Sequence, residues 1–409
     1  MMKQMPPTHL LADILSTPTR ESLLRAIDDA LSVEVGAADV DRIRRIIPEH
    51  FLPATTELID IVLGTRKASK LGKAHPGWWY TVKGAEQATH PVIAADHARR
   101  FIGCKHVVEV CTGVGMDTFA LAGVAERITT FESDAVTAAL AIGNIRAADL
   151  GNVEVRHESF DGTSVLPVFD GMWADPSRRR ADGKRASGAK EYSPLLETLD
   201  EVGKRHPDAK VGIKCGPGDT LPLDLLTKYA SEFIGFGSEC RERVLWKNTG
   251  VPDFSVSLPA LNRQWVPKSI TEPLPIPVAD DDLLAEPHAA IIASGSVGEF
   301  FREHRLRPIH PLIAYGVGRR SDIDVPSLRE WADVFDVIRV DNGISIRRIQ
   351  QNLRDLRWNN RTEFKKRGWN GEPEELRRQL TFSSSNNIGA VIIARTETGH
   401  LTLYCKRTA

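Results

Sequence analysis

The stretch HVVEVCTGVGMDT, residues 106–118, decides the fold. An apolar run with one acid, Glu109, leads into Cys111 and Thr112, then into Gly113 and Gly115, and a helical pattern carrying Asp117 follows. A short apolar strand entering a glycine-rich turn and then a helix is the opening unit of an α/β sheet. Two glycines at such a turn let a ligand approach the backbone, with amide N–H groups and the start of the helix facing it. The dinucleotide fingerprint requires G-x-G-x-x-G, and the third position here is Thr118, so a nicotinamide site is disfavoured.

Downstream, candidate strands at RITTFE (127–132), VEVRH (153–157), VFDGMWAD (168–175), KVGIK (210–214), FIGFGSE (233–239) and RVLWK (243–247) alternate with helical patterns. This alternation predicts a parallel sheet with helices on both faces. Three strand ends carry chemistry. Glu132, followed by Ser133, closes the second strand 17 residues past Gly115 and is suited to accept hydrogen bonds from two ribose hydroxyls. After the third strand, Phe160 is suited to cover a base and Asp161 to pair with its amine. The fourth strand ends in Asp175-Pro176-Ser177-Arg178, where Pro176 stops the strand and holds Asp175 at the carboxyl edge, the edge at which open α/β sheets bind ligands. Singly, these are an ordinary strand end, an Asp-Gly turn and a strand terminator. In order, at successive strand ends, they describe a nucleoside site.

The chain has 409 residues, 42% hydrophobic and 26% charged, which excludes a disordered protein and calls for more than one core. No stretch is long and apolar enough to predict a membrane span, and MMKQMPPTHLLADILSTPTR does not read as a secretory signal. Five scattered cysteines without C-x-x-C predict neither disulfides nor a metal site, and fit a reducing cytoplasm. Residues 1–95 read as an N-terminal helical domain, 96–265 as the α/β domain, 266–330 as a Pro-rich acidic linker with a connecting helix over 289–304, and 331–409 as a small α+β domain. The last of these comprises a strand at 334–340, a basic helix at 344–357 and a closing hairpin. The net charge of −1 divides unevenly. Residues 301–409 hold 20 Lys+Arg against 13 Asp+Glu, a balance of +7, and the rest of the chain stands at −8. A basic end on an acidic body points to an anionic partner.

The run E-x-C-T-G-x-G-x-D-T, F-E, D-G and D-P-S-R-R resembles class I S-adenosylmethionine-dependent methyltransferases. More narrowly it is similar to a bacterial family with a C-terminal THUMP-like domain. VGIKCGPGDTLP (211–222), EPHAAIIASGSVGEFF (286–301) and the segment from VFDVIRV to the final hairpin extend the likeness over residues 70–409. The resemblance implies a Rossmann-like class I methyltransferase sheet using S-adenosylmethionine. By it, Gly113 and Gly115 line the methionine portion of the donor, Glu132 holds its ribose, Asp161 lies near the adenine, and Asp175 sits beside the reactive methyl group. Glu109, Cys111, Thr112, Asp117, Ser133 and Phe160 complete the expected cofactor site. Asp175 and Arg178 are the expected catalytic pair. The motif departs from N/D-P-P-Y/F, whose aromatic stacks on a flipped base. It also has no adjacent cysteine to attack a pyrimidine, and Cys215 reads as a buried structural thiol.

The segment RRRADGKRASGAK (178–190) sets Arg179, Arg180, Lys184 and Arg185 beside the motif as expected substrate contacts. Such a basic loop suits phosphates. Arg347, Arg348, Arg354, Arg357, Lys365, Lys366 and Arg367, interleaved with Trp358, Phe364 and Trp369, add a second basic region. Together they favour RNA as substrate over a small molecule or protein, and over a noncatalytic RNA-binding role for the same fold. Trp78-Trp79-Tyr80 reads as packing between the helical and α/β parts.

Overall fold

The computed structural model describes residues 7–178, 191–268 and 275–408. The first sheet contains β1 (His106–Val110), β2 (Arg127–Glu132), β3 (Val153–His157), β4 (Gly171–Ala174), β5 (Lys210–Cys215), β6 (Ala230–Phe236), β7 (Glu239–Lys247), β8 (Phe254–Leu258) and β9 (Arg263–Trp265). Its order is β3-β2-β1-β4-β5-β7-β6-β8-β9. The five strands from β3 to β5 are parallel, in register Val110↔Phe131, Val110↔Ala174 and Ala174↔Ile213. β7 runs antiparallel to β5, pairing Cys215 with Arg243, so the sheet is mixed and not purely parallel as expected. The strand pattern alone carries no direction, because β7 follows β6 through a tight connection and reads like any other buried strand. The chain order reverses between β1 and β4, and such a switch point, at the carboxyl ends of the strands, is where open α/β sheets bind ligands.

Alternation across the pleat sorts the side chains of this sheet. Val110, Ala174, Ile213 and Leu245 face one core, with Leu196, Leu199 and Val202 of the helix Leu196–Arg205. Glu109, Trp173, Gly212 and Trp246 share a row on the other face, set by the registers Glu109↔Trp173, Trp173↔Gly212 and Gly212↔Trp246. Gly212 is obligatory there, since a Cβ would lie 2.4 Å from the Trp246 ring and 2.7 Å from that of Trp173.

The residues expected to form a separate helical domain share a core with the sheet's own helix. Leu24, Ile27, Leu58 and Ile61 join Val136, Ala139 and Leu140 of Ala135–Ala147 in one cluster. Trp79 enters the same cluster, its backbone N–H donating to Asn144 Oδ1 at 2.9 Å and its indole N–H to Glu21 at 2.6 Å. Arg20 lies so close over this helix that a Cβ on Gly143 would meet its guanidinium at 1.1 Å. Accordingly, the chain divides into two compact units rather than the four expected segments. One is Met1–Glu232 with Glu242–Phe254 and Leu258–Arg263; the other is Phe233–Arg241, Ser255–Ser257 and Gln264–Ala409.

The second unit is built on β10 (Asp282–Pro287), β11 (Arg307–Pro308), β12 (Gly316–Arg319), β13 (Ala332–Asn342), β14 (Glu363–Arg367), β15 (Ala390–Thr396) and β16 (Gly399–Arg407), in the order β11-β12-β10-β13-β16-β15-β14. β10 falls inside the stretch read as linker. Its acidic and proline-rich surroundings hide a short run, Leu283-Leu284-Ala285, that is fully buried between β12 and β13. The helix expected over 289–304 is two, Ala289–Ser294 and Val297–Glu303, broken at Gly295 with φ 79°. Alternate residues of β15 serve opposite cores. Ala390, Ile392 and Ala394 pack with Phe335 and Leu403; Val391 and Ile393 pack with Tyr404, Trp358 and the helix Ile346–Asp355 through Ile349 and Leu353.

Candidate active site

The turn after β1 has the backbone that its sequence demands. Cys111, Gly113 and Gly115 all have positive φ, at 68°, 56° and 97°. A Cβ on Gly113 would meet no atom within 4 Å, so its α-carbon faces open space. Gly115 is backed by Trp78 and Ile145, whose nearest atoms lie 3.7 and 3.8 Å from the position of a Cβ. Adopting a left-handed conformation is costly for cysteine, and Cys111 is held there by backbone bonds from Cys111 N and Thr112 N to the Phe131 carbonyl, at 2.9 and 3.1 Å.

Glu132 stands at the end of β2 beside this turn. One carboxylate oxygen accepts from Gly113 N at 3.0 Å and the other from Asp134 N at 2.9 Å. Burial pushes its pKa up, and these backbone donors oppose the shift. Ser133, next along, is exposed. Phe160 is buried, its ring edge-on to Phe131 with centroids 5.6 Å apart. Asp161 is exposed and accepts from the backbone and hydroxyl of Thr163 at 2.9 and 2.8 Å, which lowers its pKa.

Three expected site residues face inward, beneath the turn. Thr112 Oγ1 meets Thr130 Oγ1 at 2.5 Å, and Glu109, 1% exposed, accepts from Thr118 at 2.5 Å. Burial raises the Glu109 pKa to about 8, which favours the neutral carboxylic acid over the carboxylate. Asp117 accepts from Thr89 Oγ1 at 2.5 Å and from His97 Nδ1 at 2.9 Å. Their side chains therefore brace the turn from below.

Asp175 leads into a chain of buried charges that the sequence did not disclose. Its N–H donates to the Val110 carbonyl at 3.1 Å, and its Oδ2 accepts from Lys214 Nζ at 2.8 Å. Lys214, 6% exposed, also donates to Thr89 Oγ1 at 3.0 Å and lies 3.4 Å from Glu242. Glu242 accepts from His97 Nε2 at 2.5 Å, and His97 packs against Trp173 with tilted rings whose centroids are 4.3 Å apart. Burial works against the charge of His97, but Glu242 and Asp117 overcome it and raise the pKa to about 9, so the ring is an imidazolium donating at both nitrogens. Burial likewise disfavours charge on Glu242, yet Lys214 and His97 hold its pKa at about 2. Asp175 shifts upward through desolvation, partly offset by Lys214. Three acids thus share two cations, and Asp175, whose side chain is 28% exposed, is the member that reaches the sheet edge.

One signal in the sequence could have found part of this network. Lys214 interrupts an otherwise apolar strand, and a buried ammonium requires an acidic partner. His97 and Glu242, 145 residues apart, carry no local signature.

Arg178 is half-buried and lies against Gly216, where a Cβ would be 2.6 Å from its guanidinium. Tyr192 and Asp219 hydrogen-bond to each other, and both accept from Gly216 N at 3.0 Å. Ser177 and Ser193 pair through reciprocal backbone bonds of 2.9 and 3.0 Å. Arg179, Arg180, Lys184 and Arg185 lie outside the described residues. Cys215 is fully buried, and burial pushes its thiol up to about 12, which leaves no thiolate for nucleophilic attack. Trp358 is likewise fully buried in the second unit, and Phe364 and Trp369 pack against the same cluster. Among the described residues no group of His, Cys, Asp and Glu is placed to hold a metal ion.

No protein-family profile matches the chain. Uncharacterized S-adenosylmethionine-dependent methyltransferases from two strains of Mycobacterium tuberculosis are 28% identical to it over 372 residues, covering 85% of this chain and 95% of each relative. A crystal structure from Porphyromonas gingivalis W83, assigned to the methyltransferases, superposes with a TM-score of 0.71 at 17% identity, covering 97% of this chain and 98% of the other. The fold is therefore the methyltransferase α/β fold. The protein is an S-adenosylmethionine-dependent methyltransferase.

Proposed function

We propose that the enzyme transfers a methyl group from S-adenosylmethionine to a nucleotide of RNA, and that the edge formed by Gly113, Glu132 and Asp175 is where it does so. When bound, the donor supplies an electrophilic methyl group on a sulfonium. Gly113, Gly115 and Cys111 are read as the backbone cradle for its methionine portion. Support comes from the open space at the Gly113 α-carbon, which a side chain would fill. Glu132 is read as the ribose acceptor. Each of its oxygens accepts one N–H, which leaves a lone pair on each for a hydroxyl. Ser133, Phe160 and Asp161 are assigned to the nucleoside end.

Asp175 is assigned as the acceptor of a proton or hydrogen bond from the substrate. Its Oδ2 is engaged by Lys214, which fixes the carboxylate while Oδ1 remains to face the substrate. Arg178 is read as orienting a substrate phosphate or carbonyl.

The observation that carries RNA as substrate is the basic sequence of residues 178–190, which follows Asp175-Pro176-Ser177 directly in the chain. Cations close in sequence to a nucleoside site can supply phosphate affinity without base readout. We also read the second unit as THUMP-like and the enzyme as cytoplasmic, the latter supported by five free cysteines. Among the described residues no helix is long and apolar enough to cross a membrane.

The test is transfer of labelled methyl from S-adenosylmethionine into RNA, protein and small-molecule fractions from cells lacking the gene, with Asp175→Asn as control. Label in RNA that vanishes with the variant supports the reading. Label in another fraction replaces RNA with that substrate class.

A further inference from the structure

The basic residues that the sequence groups together at this end fall into two classes that sequence alone does not separate. Those on β14, with Arg407 of β16, are neutralised within the unit. Lys365 and Arg367 both bind Glu286, Lys365 also reaches Asp333 at 3.3 Å, Arg407 pairs with Asp333 and Glu363, and Lys366 pairs with Glu372 at 2.8 Å. Those on and after the helix Ile346–Asp355 are not. Arg347, Arg348, Arg354, Arg357 and Arg361 are all exposed, and none forms an ion pair among the described residues. The nearby acid Asp355 is turned to Gln351 at 2.9 Å and Arg339 at 3.4 Å. Helical spacing puts Arg347, Gln351 and Arg354 on one stripe with Arg348 beside it, while Ile349 and Leu353 anchor the opposite face in the core.

The chain leaving this helix continues through Arg357 and Trp358 into the lining of an open groove of about 560 Å³, formed in part by Asn359, Asn360, Arg361, Phe382, Ser384 and Asn386. Its walls are pinned. Gln350 exchanges hydrogen bonds with Thr381 at 2.8 and 3.0 Å, Ser383 N donates to the Trp358 carbonyl at 2.9 Å, and Asn359 N donates to the Asn387 carbonyl at 2.8 Å. The lining is amide, hydroxyl and guanidinium around one half-buried aromatic ring. These groups can read the edges of an unpaired base and its 2′-hydroxyl, and the neighbouring arginines supply phosphate contacts. An acidic polypeptide would use the arginines but has no need of the amide-lined groove.

We propose that this face, from Arg347 through the Asn359–Asn386 groove, is a docking surface for a single-stranded RNA segment. The proposal rests on the RNA reading of the active site and adds to it a second, noncatalytic point of attachment. The test uses the full chain, a labelled single-stranded RNA 20-mer, a duplex of equal length and polyglutamate, with binding followed by fluorescence anisotropy against salt. Replacing Arg347, Arg348 and Arg354 together by Gln removes three phosphate contacts. This lowers the slope of log affinity against log salt by about 2 and weakens single-strand binding about 100-fold near 0.1 M salt. A second variant, Asn360→Ala with Asn386→Ala, keeps the salt slope and erodes the preference for single strands over duplex. Arg25, Arg44 and Arg45 changed together to Gln are the charge-matched control and leave binding in place.

Binding of S-adenosylmethionine, measured by calorimetry, is unchanged in every variant, which shows that each is folded. If the Arg347 triple variant binds the single strand like the parent, or if polyglutamate competes as well as RNA, the surface is refuted. Methyl label that still enters RNA under that outcome leaves the active-site reading standing. Label that enters protein or small molecules refutes that reading separately.

Discussion

Replacing Lys214 by Met removes the ammonium from the buried network while keeping the length of the side chain. Its Nζ lies 2.8 Å from Asp175 and 3.4 Å from Glu242, and at an effective dielectric of about 20 each attraction is worth roughly 5–6 kcal/mol before desolvation. The loss cannot reach the sum of the two, because a stranded acid escapes by taking up a proton. From an ordinary carboxylate pKa near 4, that uptake costs about 4 kcal/mol at pH 7, which sets the ceiling for one acid. The value falls in the range of about 3–5 kcal/mol found when one partner of a buried pair is removed. The sign of the pH dependence follows. In the variant the stranded acid has a folded pKa raised above its unfolded one, so its penalty grows as pH rises from the ordinary carboxylate range. Denaturant unfolding of Lys214→Met against the parent is thus expected to show a deficit of about 4 kcal/mol at pH 7. At pH 5 the deficit shrinks by about 2.7 kcal/mol, since each pH unit is worth about 1.4 kcal/mol. A deficit below about 1 kcal/mol that does not change with pH would refute the assignment of Lys214 as the cation shared by these acids.

Four further outcomes are expected. Glu132→Gln keeps the bonds to Gly113 and Asp134 only in part, and S-adenosylmethionine affinity measured by calorimetry drops at least about tenfold, whereas the parent shows no binding of NAD; an unchanged affinity would remove the ribose role. Asp175→Asn lowers methyl transfer about 10²- to 10⁴-fold in a single-turnover assay if Asp175 is a general base, and hardly at all if it only neighbours the donor. Gly212→Ala drives a methyl group into the stacked Trp173 and Trp246 rings and costs about 1–3 kcal/mol, read as a lowered midpoint of thermal unfolding. His97, raised to about 9, contributes stability that is complete below about pH 6.5 and lost as pH climbs through 9, so the parent's unfolding free energy declines over that window and His97→Gln flattens the decline.

How far the sequence could be read follows from where each signal resides. β1, β2 and β3 coincide with their expected spans because each is a short apolar or alternating run closed by turn residues, and that information is local. The Gly113–Gly115 turn was legible for the same reason, since a positive φ selects glycine at the position itself. The antiparallel direction of β7 was not legible, because an apolar run is symmetric under reversal. β10 was masked by Asp280, Asp281 and Asp282, which dominate the composition of a window around a three-residue buried core. The site divides likewise. Glu132 and Asp175 were visible as acids at strand ends, but whether Glu109 and Asp117 face a ligand or the interior depends on Thr118, Thr89 and His97 across the pleat, and no spacing rule reaches that far. The basic C-terminal end was visible as a charge total. That Lys365 and Arg367 are spent on Glu286 while Arg347 and Arg354 are not is a property of tertiary pairing.

The shared core between the first four helices and Ala135–Ala147 has a practical consequence for anyone who wishes to trim or recombine this enzyme. A cut near residue 95, where the sequence suggests a seam, would strip Leu24, Ile27, Leu58 and Ile61 from one side of a closed cluster and leave Val136, Ala139 and Leu140 facing water. It would also pull Arg20 from over Gly143 and Glu21 from the indole of Trp79. The leading helices are then better regarded as the enzyme's outer wall than as a removable attachment. A chimera that borrows the sheet must carry them along, or replace the surface they cover with polar side chains.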